Sequence, residues 1–330
     1  MNEGTALAPI GIGLIGLGRH GMRYARHLLE PLPNARLVAV CRRNAAQGSV
    51  FAADRSVKFY QDHHDLIADS NVDAIVVVTP PSVTRQICLD AVHARKPLLI
   101  EKPLAPTGAE ARDMVRAAES YGTPLMTAQT LRFDSAVSAL KAELARVGSR
   151  QYLVLTNRME PRGELPHSPA DYAGRGVLLE IGIHLLDLVR FLTGEEVIEV
   201  RCDMDGSAPE RPESRALVSL WTTGGLPCIV DVSRVTTGRI SRAEWIGKDG
   251  QLIADWVSHR LSRISSGNVQ DDKALEDRPT IVAILHAFLD ALRRGAPMPV
   301  TGLDGQRAVE IADACYQSAV SRQTVRVETR

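Results

Sequence analysis

The chain has 330 residues, and its 39 Lys and Arg are balanced by 39 Asp and Glu, so the formal net charge is zero. At about 150 residues per domain, this length predicts two domains. A chain of this size can bury roughly three quarters of its surface without help from a disulfide or a metal. The neutral charge balance argues against nucleic acid as a partner. The 45% hydrophobic and 24% charged content exclude a disordered, collagen-like or coiled-coil chain.

The cysteines are far apart and none has CxxC spacing, which predicts reduced thiols and neither a disulfide framework nor a metal site. They are Cys41, Cys88, Cys202, Cys228 and Cys315. No apolar run reaches the roughly 18 residues of a membrane span, so we expect no membrane partner. Residues 1–9 lack the features of a secretory signal and are expected to form a short loose tail. We therefore expect a cytoplasmic protein.

The first 130 residues alternate apolar runs with helical patterns. Strands are predicted at residues 10–15, 37–41, 74–79, 98–100 and 125–128. Helices are predicted at residues 22–29, 62–69, 82–95 and 107–121, the last with a capping box from Thr107 to Glu110. Continuous apolar strands separated by helices are typical of a parallel sheet covered on both faces. We therefore predict an α/β domain with a doubly wound parallel sheet at residues 1–130.

Residues 131–330 show a different pattern, in which strands follow one another without helices between them. Strands are predicted at residues 151–157, 197–203, 216–221, 228–235, 243–246 and 252–256. Helices are predicted at residues 136–147, 177–192, 281–293 and 305–321, and loops at 160–176 and 265–279. Runs of strands of this kind favour a largely antiparallel sheet in a second, α+β domain.

Residues 11–21, GIGLIGLGRHG, contain a glycine motif in two possible registers. Only Gly16, Gly18 and Gly21 follow a predicted strand and precede a predicted helix, as a dinucleotide-binding loop requires. In that register Gly16 makes the turn, Gly18 lets the backbone approach a pyrophosphate, and Gly21 allows close packing of helix and strand. The free N–H groups of the helix N-terminus then bind the phosphates. A glycine-rich turn without a ligand is the alternative.

The end of the second predicted strand distinguishes NAD from NADP. An NAD site usually has an acidic residue there to bind the ribose 2′-hydroxyl. This chain has Arg42 and Arg43 instead, followed by Asn44. Guanidinium groups bind a 2′-phosphate that a carboxylate would repel. We expect NADP(H) to be preferred and NAD(H) to remain possible, unless both arginines are merely solvated surface residues.

Two further motifs carry groups that can handle protons. Glu101-Lys102-Pro103 follows the strand at 98–100, at the edge of the sheet where ligands bind. A lysine there can accept a proton if burial or a neighbouring cation lowers its pKa. On the helix at 177–192, the spacing of Glu180, His184 and Asp187 places all three on one face. A surface lysine and a solvated salt-bridge face are the alternative interpretations.

Together, the glycine loop, Thr79-Pro80-Pro81, Glu101-Lys102-Pro103 and the ExGxHxxD pattern at 180–187 resemble the Gfo/Idh/MocA family (glucose–fructose oxidoreductase and inositol dehydrogenase). The resemblance runs in order over essentially the whole chain. It implies a Rossmann domain followed by an α+β domain with an open, mostly antiparallel sheet. It further implies NAD(H)- or NADP(H)-dependent oxidation or reduction of sugars and cyclitols, and a homodimer or homotetramer formed through that sheet.

The resemblance also implies roles for individual residues. Lys102, with His184, transfers a proton to or from the reacting oxygen, and Glu180 and Asp187 orient this pair. The residues expected to bind the cofactor are Gly16, Gly18, Arg19, His20, Gly21, Arg42, Arg43, Thr79, Pro80, Glu101 and Lys102. Those expected to contact the substrate are Lys102, Arg132, Arg158, Glu180, His184 and Asp187. The Lys102–Pro103 peptide bond is often cis in relatives.

The sequence departs from the family at three positions, one of which is Pro81 in Thr79-Pro80-Pro81, where Asn is more usual. Glu180 stands where Asp is more usual, and Thr84 stands where His is common. These departures leave open a catalytically silent NADP(H) sensor, or a reductase of a non-sugar substrate such as an imine or a tetrapyrrole. Arg162, His167 and Arg175 lie near the active-site helix in the sequence and could meet a hydroxyl-rich or phosphorylated ligand.

Overall fold

A computed structural model of the chain describes residues 8–30, 32, 35–161, 169–206 and 212–328. Among these residues, no helix is both long and apolar enough to cross a membrane. Cys41, Cys88, Cys202, Cys228 and Cys315 are buried, and none of them forms a disulfide. The predicted loop positions Arg162 and His167 and most of the predicted N-terminal tail lie outside the described residues.

The N-terminal part forms the predicted parallel sheet. Its elements are β1 (Ile10–Ile15), α1 (Gly21–Leu29), β2 (Ala35–Cys41), α2 (Ala45–Ala53), β3 (Lys58–Tyr60), α3 (His63–Ala68), β4 (Ala74–Val77), α4 (Pro81–His93), β5 (Leu98–Glu101), α5 (Gly108–Tyr121) and β6 (Leu125–Ala128). The strands pair in parallel in the order β3-β2-β1-β4-β5-β6. This is the Rossmann order, in which the ligand crevice opens between β1 and β4 at the carboxyl ends of the strands.

The inner strands read as continuous apolar runs because both of their faces are buried. In β4, Ile75 and Val77 join one hydrophobic cluster, whereas Ala74 and Val76 join the cluster on the opposite face. All four residues of this strand are at most 1% exposed. A two-faced strand of this kind has no polar side, and this is why the pattern predicted a sheet covered by helices on both sides.

The C-terminal part forms the second sheet. Its elements are a 3₁₀ turn (Thr130–Phe133), α6 (Ser135–Glu143), β7 (Arg150–Arg158), a π-helical turn (Leu178–Gly182), α7 (Ile183–Thr193), β8 (Val197–Met204), β9 (Arg215–Thr222), β10 (Pro227–Ser233), β11 (Ile240–Gly247), β12 (Gly250–Asp255), β13 (Arg260–Ser265), β14 (Asn268–Ala274), α8 (Thr280–Arg294), α9 (Gly302–Ser321) and β15 (Val325–Arg326). The strands pair in the order β14-β13-β12-β11-β7-β10-β9-β8-β15. The pairs are antiparallel except for β7 with β10.

The hairpin of β13 and β14 corrects the prediction of a loop over residues 265–279. Its strands are polar and largely exposed, so the sequence has no apolar pattern that predicts them. Opposite charges across the hairpin take the place of an apolar face: Arg260 pairs with Asp272, and Arg263 pairs with Asp271. Cross-strand ion pairs stabilise such ladders modestly, and they leave no signal in the hydrophobic pattern.

Helix α8, near the end of the chain, packs against the first sheet. Its residues Ile284, Leu285 and Phe288 lie in the same hydrophobic cluster as Leu14 of β1 and Met126 of β6. The sheet face opposite to α4 and α5 is therefore covered partly by a helix from the end of the chain. The division of the chain at residues 130 and 131 stays a prediction.

Candidate active site

A cleft of about 1210 Å³ lies at the carboxyl ends of the parallel strands, between the Rossmann sheet and the start of α7. This is the place where doubly wound sheets bind their ligands. Most residues predicted to act in cofactor binding or catalysis line it. They are Gly16, Gly18, Arg19, His20, Gly21, Arg42, Arg43, Thr79, Pro80, Glu101, Lys102, Glu180 and His184.

The glycine loop has the geometry that dinucleotide binding needs. Gly16 has a φ of +102°, and a Cβ there would lie 2.2 Å from the carbonyl oxygen of Val78. A Cβ on Gly21 would lie 1.9 Å from the carbonyl oxygen of Gly16, so the helix can start here only with glycine. By contrast, a Cβ on Gly18 would meet no atom within 4 Å. Gly18 therefore faces open cleft, in the space that a pyrophosphate would use, and the loop fits a dinucleotide.

The alternative glycine register is explained by packing inside the sheet. A Cβ on Gly11 would lie 2.0 Å from the backbone oxygen of Asn71, and a Cβ on Gly13 would lie 2.6 Å from the Leu66 side chain. Both glycines belong to β1, so their role is close approach between neighbouring elements.

The end of β2 presents two arginines to the cleft in different ways. Nη1 of Arg42 donates to the carbonyl oxygen of Leu17 at 2.8 Å and so ties the strand end to the glycine loop. Arg43 is exposed, and no ion pair of its side chain occurs among the described residues. The side chain of Asn44 caps α2 by accepting from the backbone N–H of Gln47.

A cluster of ligand-type side chains lies at the same end of the cleft. Asp62, His63 and His64 have potential metal-binding atoms within 4.8 Å of one another. These groups also bond among themselves and to Asp90: Nδ1 of His64 is 2.7 Å from Asp62, and Nε2 of His63 is 2.8 Å from Asp90. The hydrogen bond to Asp62 raises the pKa of His64. Asp62 is therefore an acid near the end of β2 whose charge is partly balanced by an imidazole.

Glu101 connects the glycine loop, α1 and the backbone of Lys102. Its Oε1 lies 2.9 Å from Nε2 of His20 and accepts from the Tyr24 hydroxyl at 2.5 Å. Its Oε2 accepts from the backbone N–H of Lys102 at 3.0 Å. Burial alone would raise the pKa of Glu101, but the hydrogen bond and charge of His20, and the charge of Lys102, lower it to about 2. Glu101 is thus an ionised, buried anchor for the segment that carries Lys102.

Lys102 reaches across the cleft to the π-helical turn that precedes α7. Its Nζ donates to the backbone carbonyl oxygen of Glu180 at 2.7 Å. The Lys102–Pro103 peptide bond is cis, as the resemblance implied. The neighbouring loop is braced by Thr84, which stands at the family's histidine position, is buried, and donates to the carbonyl oxygen of Pro80 at 3.1 Å.

The predicted helix at 177–192 begins with a π-helical turn, and this turn carries Glu180. The side chain of Glu180 is 16% exposed and lines the cleft beside His184. Burial and the charge of Lys102 lower the pKa of His184 to about 3, so its imidazole is neutral at ordinary pH. Nδ1 of His184 is buried and has no hydrogen-bond partner among the described residues. Because His184 lines the cleft, its neutral ring can exchange a hydrogen bond with a substrate hydroxyl.

Asp187 and Arg132 pair with each other outside the cleft. Asp187 is 1% exposed and accepts a bidentate pair from Arg132, with Nε to Oδ2 at 2.7 Å and Nη2 to Oδ1 at 2.6 Å. Arg132 also contacts Asp304 at the start of α9. Neither Arg132 nor Asp187 lines the cleft. They join α7 to the 3₁₀ turn and α9, so the structure does not bring them to the cleft; the expectations that Asp187 orients Lys102 and His184 and that both residues contact substrate stay predictions.

Arg158 and Arg175 are also occupied by other contacts. Arg158 lies at the end of β7, pairs with Asp231 of β10 and is not among the residues that line the cleft, so its expected substrate contact stays a prediction. Arg175 bonds to Asp313 at 2.5 Å and to the carbonyl oxygen of Pro106 at 2.6 Å.

Sequence reasoning missed Tyr172 and Thr130, which line the cleft, and Arg234, which contacts Glu180. No motif marks any of the three.

Comparison with known proteins agrees with this geometry. Residues 10–129 match the model of the Gfo/Idh/MocA oxidoreductase family with an NAD-binding Rossmann fold, and residues 151–253 match the C-terminal domain of that family. A myo-inositol 2-dehydrogenase of Thermotoga maritima is 28% identical over 96% of this chain and 98% of its own length. An inositol 2-dehydrogenase of Paracoccus denitrificans is 30% identical over 92% of each chain.

A solved structure extends the similarity to the whole fold. An oxidoreductase from Agrobacterium radiobacter, in complex with NAD⁺, L-tartaric acid and magnesium, aligns with a TM-score of 0.84. The two chains are 23% identical, and the alignment covers 97% of this chain and 99% of the other. With the glycine loop, the Glu101-Lys102-Pro103 corner and the histidine helix around one cleft, and with family models matching both parts of the chain, this protein belongs to the Gfo/Idh/MocA family of NAD(P)-dependent oxidoreductases.

Proposed function

We propose that the protein transfers hydride between NADP(H) and a secondary alcohol or carbonyl of a sugar-like or cyclitol substrate. The observation that carries this proposal is the contact of Lys102 with the backbone of Glu180, because it gathers Lys102, Glu180 and His184 beside the glycine loop. The substrate class is supported by the relatives named inositol 2-dehydrogenase, which match the chain from end to end.

The proton is assigned to Lys102. A hydroxyl that loses hydride must also lose its proton, and a positioned base accelerates this step by roughly 10²–10⁴-fold. In the proposal the unprotonated form of Lys102 takes the proton, the neutral ring of His184 bonds the same oxygen, and the Glu180 carboxylate accepts from a substrate hydroxyl. An oxidised nicotinamide bound nearby would lower the pKa of Lys102 and so favour its unprotonated form. A bound nicotinamide supplies the hydride acceptor or donor, and the residues that would hold the cofactor are the glycine loop, Arg42, Arg43 and Thr79.

The preference for NADP(H) is supported by the end of β2. Arg43 is exposed at the cleft and can contact a 2′-phosphate, whereas one N–H of Arg42 already donates to the carbonyl oxygen of Leu17. Asp62 lies near this site, but its contact with His64 reduces the repulsion that a phosphate would feel. A guanidinium binds phosphate more strongly than it binds a ribose hydroxyl.

Thermal unfolding with NADPH or NADH at equal concentration tests the cofactor. A ligand at ~100 times its Kd adds roughly 2.7 kcal/mol, so the larger shift should come from NADPH. Arg43→Asp should reverse the order of the two shifts. Arg36→Asp is the matched control, because Arg36 is exposed at the opposite end of β2. An equal or larger shift with NADH in the unchanged protein would contradict the NADP(H) preference, and a panel of polyols that leaves the cofactor unreduced would contradict the substrate class.

The second sheet supports assembly into a homodimer or homotetramer. Its outer face carries exposed apolar side chains on adjacent strands, among them Tyr152, Leu217 and Ile229. Val154 of β7 lies opposite Ile229 of β10, so these two apolar positions are neighbours on the same face. Contiguous exposed apolar surface is typical of protein interfaces. Light scattering of the protein and of Ile229→Lys tests this proposal, since the variant should shift the oligomer towards monomer.

A further inference from the structure

Arg234 is fixed at the carboxyl end of β10, beside the cleft. Its backbone N–H donates to the carbonyl oxygen of Ser214 at 2.8 Å, and the preceding Ser233 carbonyl accepts from the N–H of Met159 at 2.8 Å. Nη1 of Arg234 donates to the carbonyl oxygen of Glu160 at 3.2 Å. The side chain is only 14% exposed. These contacts distinguish Arg234 from a solvated surface arginine.

The guanidinium of Arg234 faces the side chain of Glu180. Nε of Arg234 lies 3.6 Å from Oε2 of Glu180, and both side chains are shielded from most of the solvent. Charge interactions between such partly buried groups are stronger than those at the surface. The backbone of the same Glu180 accepts the hydrogen bond of Lys102. Glu180 is therefore contacted through its main chain by the catalytic lysine and through its side chain by Arg234.

We propose that Arg234 is a positioning residue that fixes the Glu180 carboxylate for substrate recognition. This inference rests on the proposed function of the cleft. A glutamate has one more rotatable bond than the aspartate usual at this position, so it has more conformations to lose when a hydroxyl binds. Arg234 restricts these conformations before substrate arrives and so recovers the affinity that a mobile carboxylate would lose. A lysine cannot replace it, because only the guanidinium fork reaches the Glu160 carbonyl and the Glu180 carboxylate together.

The test compares Arg234→Met, Arg234→Lys and, as a matched control, Arg260→Met. Arg260 belongs to an exposed ion pair with Asp272 on the remote hairpin. With myo-inositol as the probe, both Arg234 variants should raise the KM for the polyol at least about tenfold, since breaking a shielded charge pair has an effect of this size. The KM for the nucleotide and both constants of the control should change by less than about twofold. Unchanged polyol KM values in well-folded Arg234 variants would overturn the proposal.

A double-mutant cycle with Glu180→Gln separates positioning from a general structural effect. If Arg234 acts through Glu180, Arg234→Met should raise the polyol KM by less than about twofold once Glu180 is replaced. A full additive effect in that background overturns the inference. A parent protein that oxidises no polyol refutes the proposed function instead. In that case, thermal unfolding of the parent, the two single variants and the double variant still tests whether Arg234 and Glu180 form a pair. The two shifts in Tm add within about 1 °C if the residues do not interact, and they depart from additivity if the pair exists.

Discussion

The neutral state of His184 can be tested without any knowledge of the substrate. Its pKa is lowered from 6.5 to about 3 in the folded protein, first by burial and then by the charge of Lys102. Above pH 6.5 the imidazole is neutral in both the folded and the unfolded state, so its burial does not change the free energy of unfolding through protonation. As the pH falls towards 3, the unfolded chain binds a proton that the folded chain refuses, and stability decreases. His184 thus makes the protein less stable in acid.

The magnitude follows from the two pKa values. A pH of 5 lies about 1.5 units below the pKa of the histidine in the unfolded chain. At 1.36 kcal/mol per unit, this difference corresponds to roughly 2 kcal/mol of lost stability. The perturbation is His184→Gln, which removes the titrating group, and the assay is urea unfolding of the apoprotein at pH 7 and pH 5. The free energy of unfolding of the parent minus that of the variant should decrease by about 2 kcal/mol between the two pH values.

A second histidine supplies a control of opposite sign. The hydrogen bond to Asp62 raises the pKa of His64, so His64 stabilises the fold at low pH and loses this effect as the pH rises. For His64→Gln, the free energy of unfolding of the parent minus that of the variant should increase, not decrease, from pH 7 to pH 5. If His184→Gln changes the difference by less than about 0.5 kcal/mol, His184 is not shielded from protons, and the neutral imidazole of the proposed mechanism is refuted.

Three further predictions concern the cleft and its supports. Lys102→Ala should lower kcat by at least about 10²-fold while isothermal titration finds cofactor affinity within about threefold of the parent; unaltered turnover would remove Lys102 from its role. Gly21→Ala should lower Tm by several degrees, because its Cβ meets the Gly16 oxygen, whereas Gly18→Ala should keep Tm but weaken cofactor binding; equal Tm values would contradict the loop geometry. Arg132→Met should cost about 3–5 kcal/mol in urea unfolding, since it strands a buried Asp187 charge, and Arg132→Met with Asp187→Leu should recover much of that loss; a cost below about 1 kcal/mol would contradict the buried pair.

The first sheet was predictable because its strands are buried on both faces. Residues 10–15 and 125–128 were predicted as strands with the bounds that the structure has, since an apolar run between turn residues leaves little choice. The hairpin of β13 and β14 was missed because ion pairs and exposed backbone hydrogen bonds stabilise it, and these leave no hydrophobic period. Helix α2 was missed for a related reason: it buries Gly48, Phe51 and Ala52, but its exposed side carries Val50, so the sequence shows no contrast between an apolar and a polar side.

The candidate site was predictable where a motif lies next to a strand end, as for Gly18 and Lys102. Helical spacing correctly placed Glu180 and His184 together at the cleft. It could not reveal what each part of a helix face would contact, and so it also assigned Asp187 to the cleft. In the fold, the start of the helix lies next to the end of β5. One turn later, the same side of the helix contacts the 3₁₀ turn and α9, and there Asp187 pairs with Arg132. Arg234 is invisible to any local pattern because its partner Glu180 lies far away in the chain.

The π-helical turn explains how a glutamate can stand at position 180 without disturbing the lysine. In an α-helix the carbonyl of residue 180 would accept from the N–H of residue 184, and a π turn moves that partner one residue further along. Lys102 bonds to this carbonyl, so its position depends on the backbone and not on the length of the side chain at 180. The extra methylene of Glu180 instead carries the carboxylate towards Arg234. On the proposed function, exchange of aspartate for glutamate at this position would therefore act on substrate recognition, while Lys102, the proposed proton acceptor, would keep its place.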